Sequence, residues 1–111
     1  DETIKRSPAF ARMTNPPTAI FCSSDMVAIA TIHGLKSAGV RVPEDISIMG
    51  FDDIDIARLF DPGLTTVYIA KHMIGREAVR LLLKRRECPD TPTERIITDH
   101  TVVVRDSTRH L

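Results

Sequence analysis

The carboxylates of this sequence are its best-placed chemical groups, and they gather at two points. Asp25 follows Ser24 directly behind the apolar run Thr18–Cys22, which puts it where a strand hands over to a helix. In open α/β sheets ligands collect outside the carboxyl ends of the strands. A carboxylate there can accept hydrogen bonds from ligand hydroxyl or amine groups, each worth roughly 1.5–3 kcal/mol. The same residue can instead favour the start of its helix through the dipole, worth about 0.3–1 kcal/mol. Residue types alone leave both roles open, and helix stabilisation is the simpler. Asp52, Asp53 and Asp55 form the second group, behind Ile46–Met49. Clustered acids can hold Mg²⁺ or Ca²⁺ or work as an acid/base pair. Neither a P-loop nor EF-hand spacing accompanies them, so capping the next helix in contact with water is the better reading. His33, His72, His100 and His110 are dispersed without zinc spacing, and no serine or cysteine stands in a nucleophile elbow. The sequence contains no catalytic constellation, no metal site and no sign of a cofactor.

The elements that must position these acids follow from periodicity and punctuation. Phe10, Ala11 and Met13 suggest a short helix that Asn15-Pro16-Pro17 ends. Thr18–Cys22 reads as a strand buried on both faces of a parallel sheet. Ser23 or Ser24 caps a helix carrying Met26, Ile29, Ile32 and Leu35, and Gly39 closes it with a left-handed cap. Ile46–Met49 is a short strand and Ile54–Phe60 a helical turn stopped by Asp61-Pro62-Gly63. Thr65–Ile69 is extended. A longer helix is predicted from about Lys71 to Arg86, with Met73, Ile74, Ala78, Val79, Leu81 and Leu82 as its apolar stripe. Ile96-Ile97 and Thr101–Val104 give a final strand or hairpin. This order predicts an α/β fold, three-layer α/β/α with a mainly parallel sheet.

Fifteen basic and fifteen acidic residues cancel, so the segment has no field to attract nucleic acid by itself. The cluster Arg80, Lys84, Arg85 and Arg86 reads as a solvated helix face. Cys22 and Cys88 lack metal-ligand spacing, and Cys22 reads as a small buried hydrophobe in a reducing cytoplasm. No apolar run is long enough to span a membrane, and no signal peptide opens the chain.

VPEDISIMGFDDIDIARLFDPGLTTV (Val42–Val67), with AIFCSSDMVAIA (Ala19–Ala30) upstream and VVVRDST near the end, closely resembles the effector-binding domain of LacI/GalR bacterial transcription regulators. The resemblance runs from about Pro17 to Thr108. It implies a partial periplasmic-binding-protein type I lobe and a regulator, a repressor, that senses a small molecule such as a sugar or nucleobase. It also implies that Asp25 hydrogen-bonds the effector, that Ser24 stands beside it, and that Ile69 and Lys71 are lining positions. On that basis Asp25→Ala is expected to lower effector affinity without unfolding the protein. Residues 1–68 and 94–111 would form the C-terminal lobe, while the helix in 69–93 would belong to the N-terminal lobe. The helix Met26–Ala38 and the segment Ile54–Pro62 resemble homodimer surfaces. DNA would be met only through a helix-turn-helix headpiece that this sequence lacks. With no first lobe to pack on, Ile74, Val79 and Leu82 are expected to be exposed or to pair with another chain. Two rivals stand beside this reading: a periplasmic sugar-binding receptor of a transport system, and a metal-dependent hydrolase or kinase using the Asp52–Asp55 acids.

Overall fold

The structure, a computed structural model, describes residues 2–110. In chain order the elements are α1 (Glu2–Arg6), α2 (Pro8–Ala11), β1 (Ala19–Phe21), α3 (Asp25–Ser37), β2 (Ser47–Met49), α4 (Asp55–Leu59), β3 (Thr66–Ile69), α5 (Lys71–Glu87) and β4 (His100–Val103). The chain divides into two units. One is the chain up to Tyr68 together with the stretch from Val102 on, and the other is Ile69–Thr101.

In the first unit β1 and β2 run parallel in the register Ala19↔Ser47, Ile20↔Ile48, Phe21↔Met49. Parallel bridges Met49↔Thr65 and Asp52↔Tyr68 bring β3 alongside β2. Gly50 and Asp52 donate their backbone N–H groups to the carbonyls of Thr65 and Val67, at 2.9 and 3.0 Å. Parallel neighbours require crossovers, and α3 and α4 are the helices in those connections. β4 pairs with β3 as the chain returns. Ala28, Ile32 and Leu35 recur at helical spacing along α3 and are fully buried. They form one core with Cys22, Val42, Ile46, Ile48, Ala57 and Leu64. Burial pushes the Cys22 thiol above its ordinary pKa, with a hydrogen bond to Thr31 opposing. Cys22 is thus the inert buried hydrophobe expected.

Three expectations need correction. β1 is not covered on both faces: Phe21 is 62% exposed, since an apolar run does not reveal whether each face finds a cover. The N-terminal region holds two short helices rather than one. α1 approaches α3 at Gly34, where a Cβ would overlap the Ser7 hydroxyl and the Ile4 carbonyl. Ile96 and Ile97 lie outside any strand, and β4 begins only at His100.

Ahead of β2, Arg41 clasps Asp45 with its guanidinium, at 2.7 Å to Oδ1 and 3.1 Å to Oδ2, and its backbone N–H also donates to Oδ2 at 2.8 Å. The Arg41 side-chain and backbone hydrogen bonds hold the Asp45 carboxyl down at about 2. A depressed folded-state value stabilises the fold above the unfolded aspartate pKa of about 3.9. That contribution fades as pH falls through the folded value of about 2. Acid titration of stability should therefore flatten between these limits in Asp45→Asn, and an unchanged acid limb would remove the pair from the account.

In the second unit no described residue of α5 is buried. Ile74 and Val79 are exposed and Leu82 is 68% exposed, so the apolar face expected to stand open does so. Glu94 pairs with Lys84 and, at 3.4 Å, with Arg80.

Candidate ligand-binding edge

Because β1, β2 and β3 are parallel, their carboxyl ends fall on one edge. Ser24 follows β1, the stretch Gly50–Asp53 follows β2, and Tyr68 lies near the end of β3. Ser24 is the N-cap of α3: its backbone is extended (φ −156°, ψ 163°) and its hydroxyl accepts the Val27 N–H at 3.3 Å. That leaves Asp25 in the first turn, where the negative charge suits the dipole.

Asp25 is fully buried. Its backbone N–H donates to the Phe51 carbonyl at 2.8 Å. One carboxylate oxygen accepts the Ile54 N–H at 2.8 Å and the other accepts the Thr66 hydroxyl. One side chain thereby ties the start of α3 to the loop after β2 and to β3. Both readings of Asp25 placed it correctly at the strand–helix junction, but neither foresaw partners 29 and 41 residues away. These contacts predict a cost to stability when Asp25 is removed.

The loop it anchors is strained. Asp52 has φ 111° and Asp53 φ 49°. Aspartate enters the left-handed region more readily than most residues, but 111° lies well outside that basin. Such conformations cost of order 1–3 kcal/mol and persist only where surrounding contacts dictate them. Here the contacts are the Asp52 N–H to Val67, the Ile54 N–H to Asp25, and an ion pair from Asp53 to Arg105 at 2.7 Å. Beside the loop Phe51 meets Phe21 edge to face, with ring centroids 6.4 Å apart and planes at 79°. With Tyr68 partly exposed, the edge offers aromatic surface next to acids, a combination suited to polar ring-shaped ligands. Among the described residues no group of three or more His, Cys, Asp or Glu could hold a metal ion.

Ser24 and Asp25 thus stand together on this edge. Ile69 and Lys71 lie in the second unit, at the end of β3 and the start of α5. Sequence reasoning set aside the acids after β2 as helix caps and did not single out Phe21, Phe51, Tyr68 or Arg105. The usable signal was Gly-Phe-Asp-Asp directly behind a strand; nothing local marked Arg105.

The sequence profile described as Periplasmic binding protein-like domain matches residues 2–108. The HTH-type transcriptional repressor CytR of Escherichia coli is 41% identical over 99 residues, which is 89% of this chain and 29% of the repressor. The Ribose operon repressor of Haemophilus influenzae is 40% identical over 91 residues, 82% of this chain and 27% of that protein. A solved LacI family transcriptional regulator from Enterococcus faecium, with bound ribose, superposes with a TM-score of 0.83 at 29% identity, covering 98% of this chain and 40% of that one. The chain spans under a third of the length of these curated relatives.

Proposed function

From the fact that this chain belongs to the periplasmic binding protein-like domains, in the form carried by LacI-type transcription regulators, we propose that it is the effector-sensing and dimerising part of a bacterial DNA-binding repressor. The observation that carries this reading is the strand-end edge itself, where the buried Asp25 anchors a strained acid loop between exposed aromatic rings. The effector is a small polar molecule, a sugar or a nucleobase, and ribose bound to a structural relative supports that class. Ser24 and Asp25 belong to the site, Asp25 by holding the loop through Ile54 and Thr66. Phe51, Asp52 and Tyr68 join them.

We assign the chain up to Tyr68 and the stretch from Val102 to one lobe and Ile69–Thr101 to the other, in support of which the contacts divide at those points. That draws the return eight residues later than the sequence-based boundary at 94. A homodimer forms through the outer faces of α3 and α4, where Met26 is 62% and Leu59 73% exposed. A groove of about 410 Å³ lined by Ile4, Met26, Ile29, His33 and Phe60 adjoins them. Effector binding biases the arrangement of the paired domains, and linkage passes that bias to DNA-reading headpieces elsewhere in the protein. The protein acts in the cytoplasm and is not an enzyme. No described helix is long and apolar enough to cross a membrane. Relatives named as repressors support regulation over a transport receptor, a hydrolase or a kinase.

Calorimetric titration of the whole protein with ribose, other pentoses and hexoses, nucleosides and nucleobases tests the reading. A saturable one-site isotherm with at least one of them is expected. Silence across the panel from folded protein would retire the effector assignment.

A further inference from the structure

Arg105 has no part in the site expected from the sequence, yet it reaches the acid loop after β2. It lies three residues after the chain re-enters the first unit at Val102. One terminal nitrogen donates to the Leu64 carbonyl at 2.7 Å, and the other pairs with Asp53 Oδ1 at 2.7 Å. Its backbone is held as well: its N–H donates to the Thr65 hydroxyl oxygen at 2.9 Å, and its carbonyl accepts the hydroxyl proton of Thr65 at 3.1 Å. The Arg105 and Asp53 side chains are each only 20% exposed, so water screens the pair weakly. The planar fork of a guanidinium suits this double grip, whereas an ammonium is a point charge.

Asp53 sits between the two fixed neighbours of the strained loop, Asp52 and Ile54. The backbone of Asp52 is pinned on one side by Val67, and that of Ile54 on the other by Asp25. Between those pins the ion pair is the contact that engages the Asp53 side chain. We propose that Arg105 is a positioning residue for effector recognition: by clamping Asp53 it holds Asp52 in its strained conformation at the strand edge and so presets the loop for ligand. This deepens the effector reading above and rests on it for its affinity consequence. Its consequence for the loop does not depend on any ligand.

The test uses Arg105→Gln, Arg105→Lys and Asp53→Asn in the whole protein, with hydrogen exchange and ribose calorimetry as readouts. Asparagine suits Asp53 because it also tolerates a left-handed backbone. Without ligand, peptides covering residues 50–55 should exchange faster in all three variants, while those covering α3 keep the parent rate. Ribose affinity should fall about ten-fold in Arg105→Gln. Arg105→Gln combined with Asp53→Asn should bind no worse than the weaker single variant, because both remove one interaction. Arg105→Lys should recover part of the affinity. Unchanged exchange at 50–55 overturns the proposal whatever the ligand data say. Faster exchange with unchanged ribose affinity also overturns it, reducing Arg105 to a structural tie. If the parent protein gives no ribose isotherm, a normal exchange response in the variants retains the clamp, and the fault lies in the ligand assignment.

Discussion

Asp25→Ala is expected to cost the folded protein about 3–5 kcal/mol, since it leaves one buried and one partly buried donor unsatisfied at roughly 1–3 kcal/mol each and opens a small void. The two donors are the N–H of the partly buried Ile54 and the hydroxyl of the fully buried Thr66, both held by a carboxylate that is itself fully buried. A loss of that size takes a large share of the roughly 5–15 kcal/mol that holds a domain together. Asp25→Asn separates the causes. Its carbonyl can still accept from Ile54, and its amide can donate to a rotated Thr66 hydroxyl, so a penalty of only about 1–2 kcal/mol follows. Urea unfolding monitored by circular dichroism measures both. Equal losses for alanine and asparagine would mean that charge, rather than donor satisfaction, is what Asp25 contributes.

The second large effect lies across the same carboxylate. Gly50 directly follows β2 with its Cα against Asp25: a Cβ there would overlap Asp25 Oδ1 and stand 3.0 Å from Leu64 Cδ2 and 3.2 Å from the Asp25 Cα. None of these can retreat cheaply, because Asp25 is held at both oxygens and Leu64 is in the core. Gly50→Ala should therefore destabilise by about 2–3 kcal/mol, the overpacking cost of 1–3 kcal/mol or more outweighing the 0.4–1 kcal/mol usually gained from a stiffer unfolded chain. The two substitutions must interact. With the carboxylate gone, the new methyl has space, so Gly50→Ala should cost much less in an Asp25→Ala background than alone. Strict additivity in a double-mutant cycle would show that the strand end shifts rather than clashes.

What the sequence discloses of this fold and what it hides divide along one physical line. α3, α4, β2 and α5 were readable because local signals define them: Ser24 as cap, Gly39 at φ 79°, the Asp61-Pro62-Gly63 stop and helical apolar spacing. The family resemblance was readable because its motifs are contiguous. What stayed hidden was carried by partners distant in sequence. Asp25 was placed at the right junction, but its bonds to Ile54 and Thr66 span 29 and 41 residues, and the Asp53–Arg105 pair spans 52. The exposure of Phe21 was hidden for a related reason, since composition records that a residue is apolar but not whether an element arrives to cover it. For the edge after β2, reading the acids as solvated caps missed the backbone strain, which only coordinates reveal.

The tail that carries Arg105 also completes the middle of the sheet. Ser107 is fully buried; its hydroxyl donates to the Ile48 carbonyl at 2.6 Å and accepts the Thr65 N–H at 2.8 Å, while its own backbone reaches Ile48 and Gly63. Ribosomes deliver chains from the N-terminus at about 5–20 residues per second. β2 and the start of β3 are therefore made seconds before the residue that satisfies them, and a nascent chain must wait with those polar groups open to water or to chaperones. Closure of this unit thus waits until Ser107 has been made, and a ribosome stalled just short of Ser107 would carry a core that has gathered without being closed.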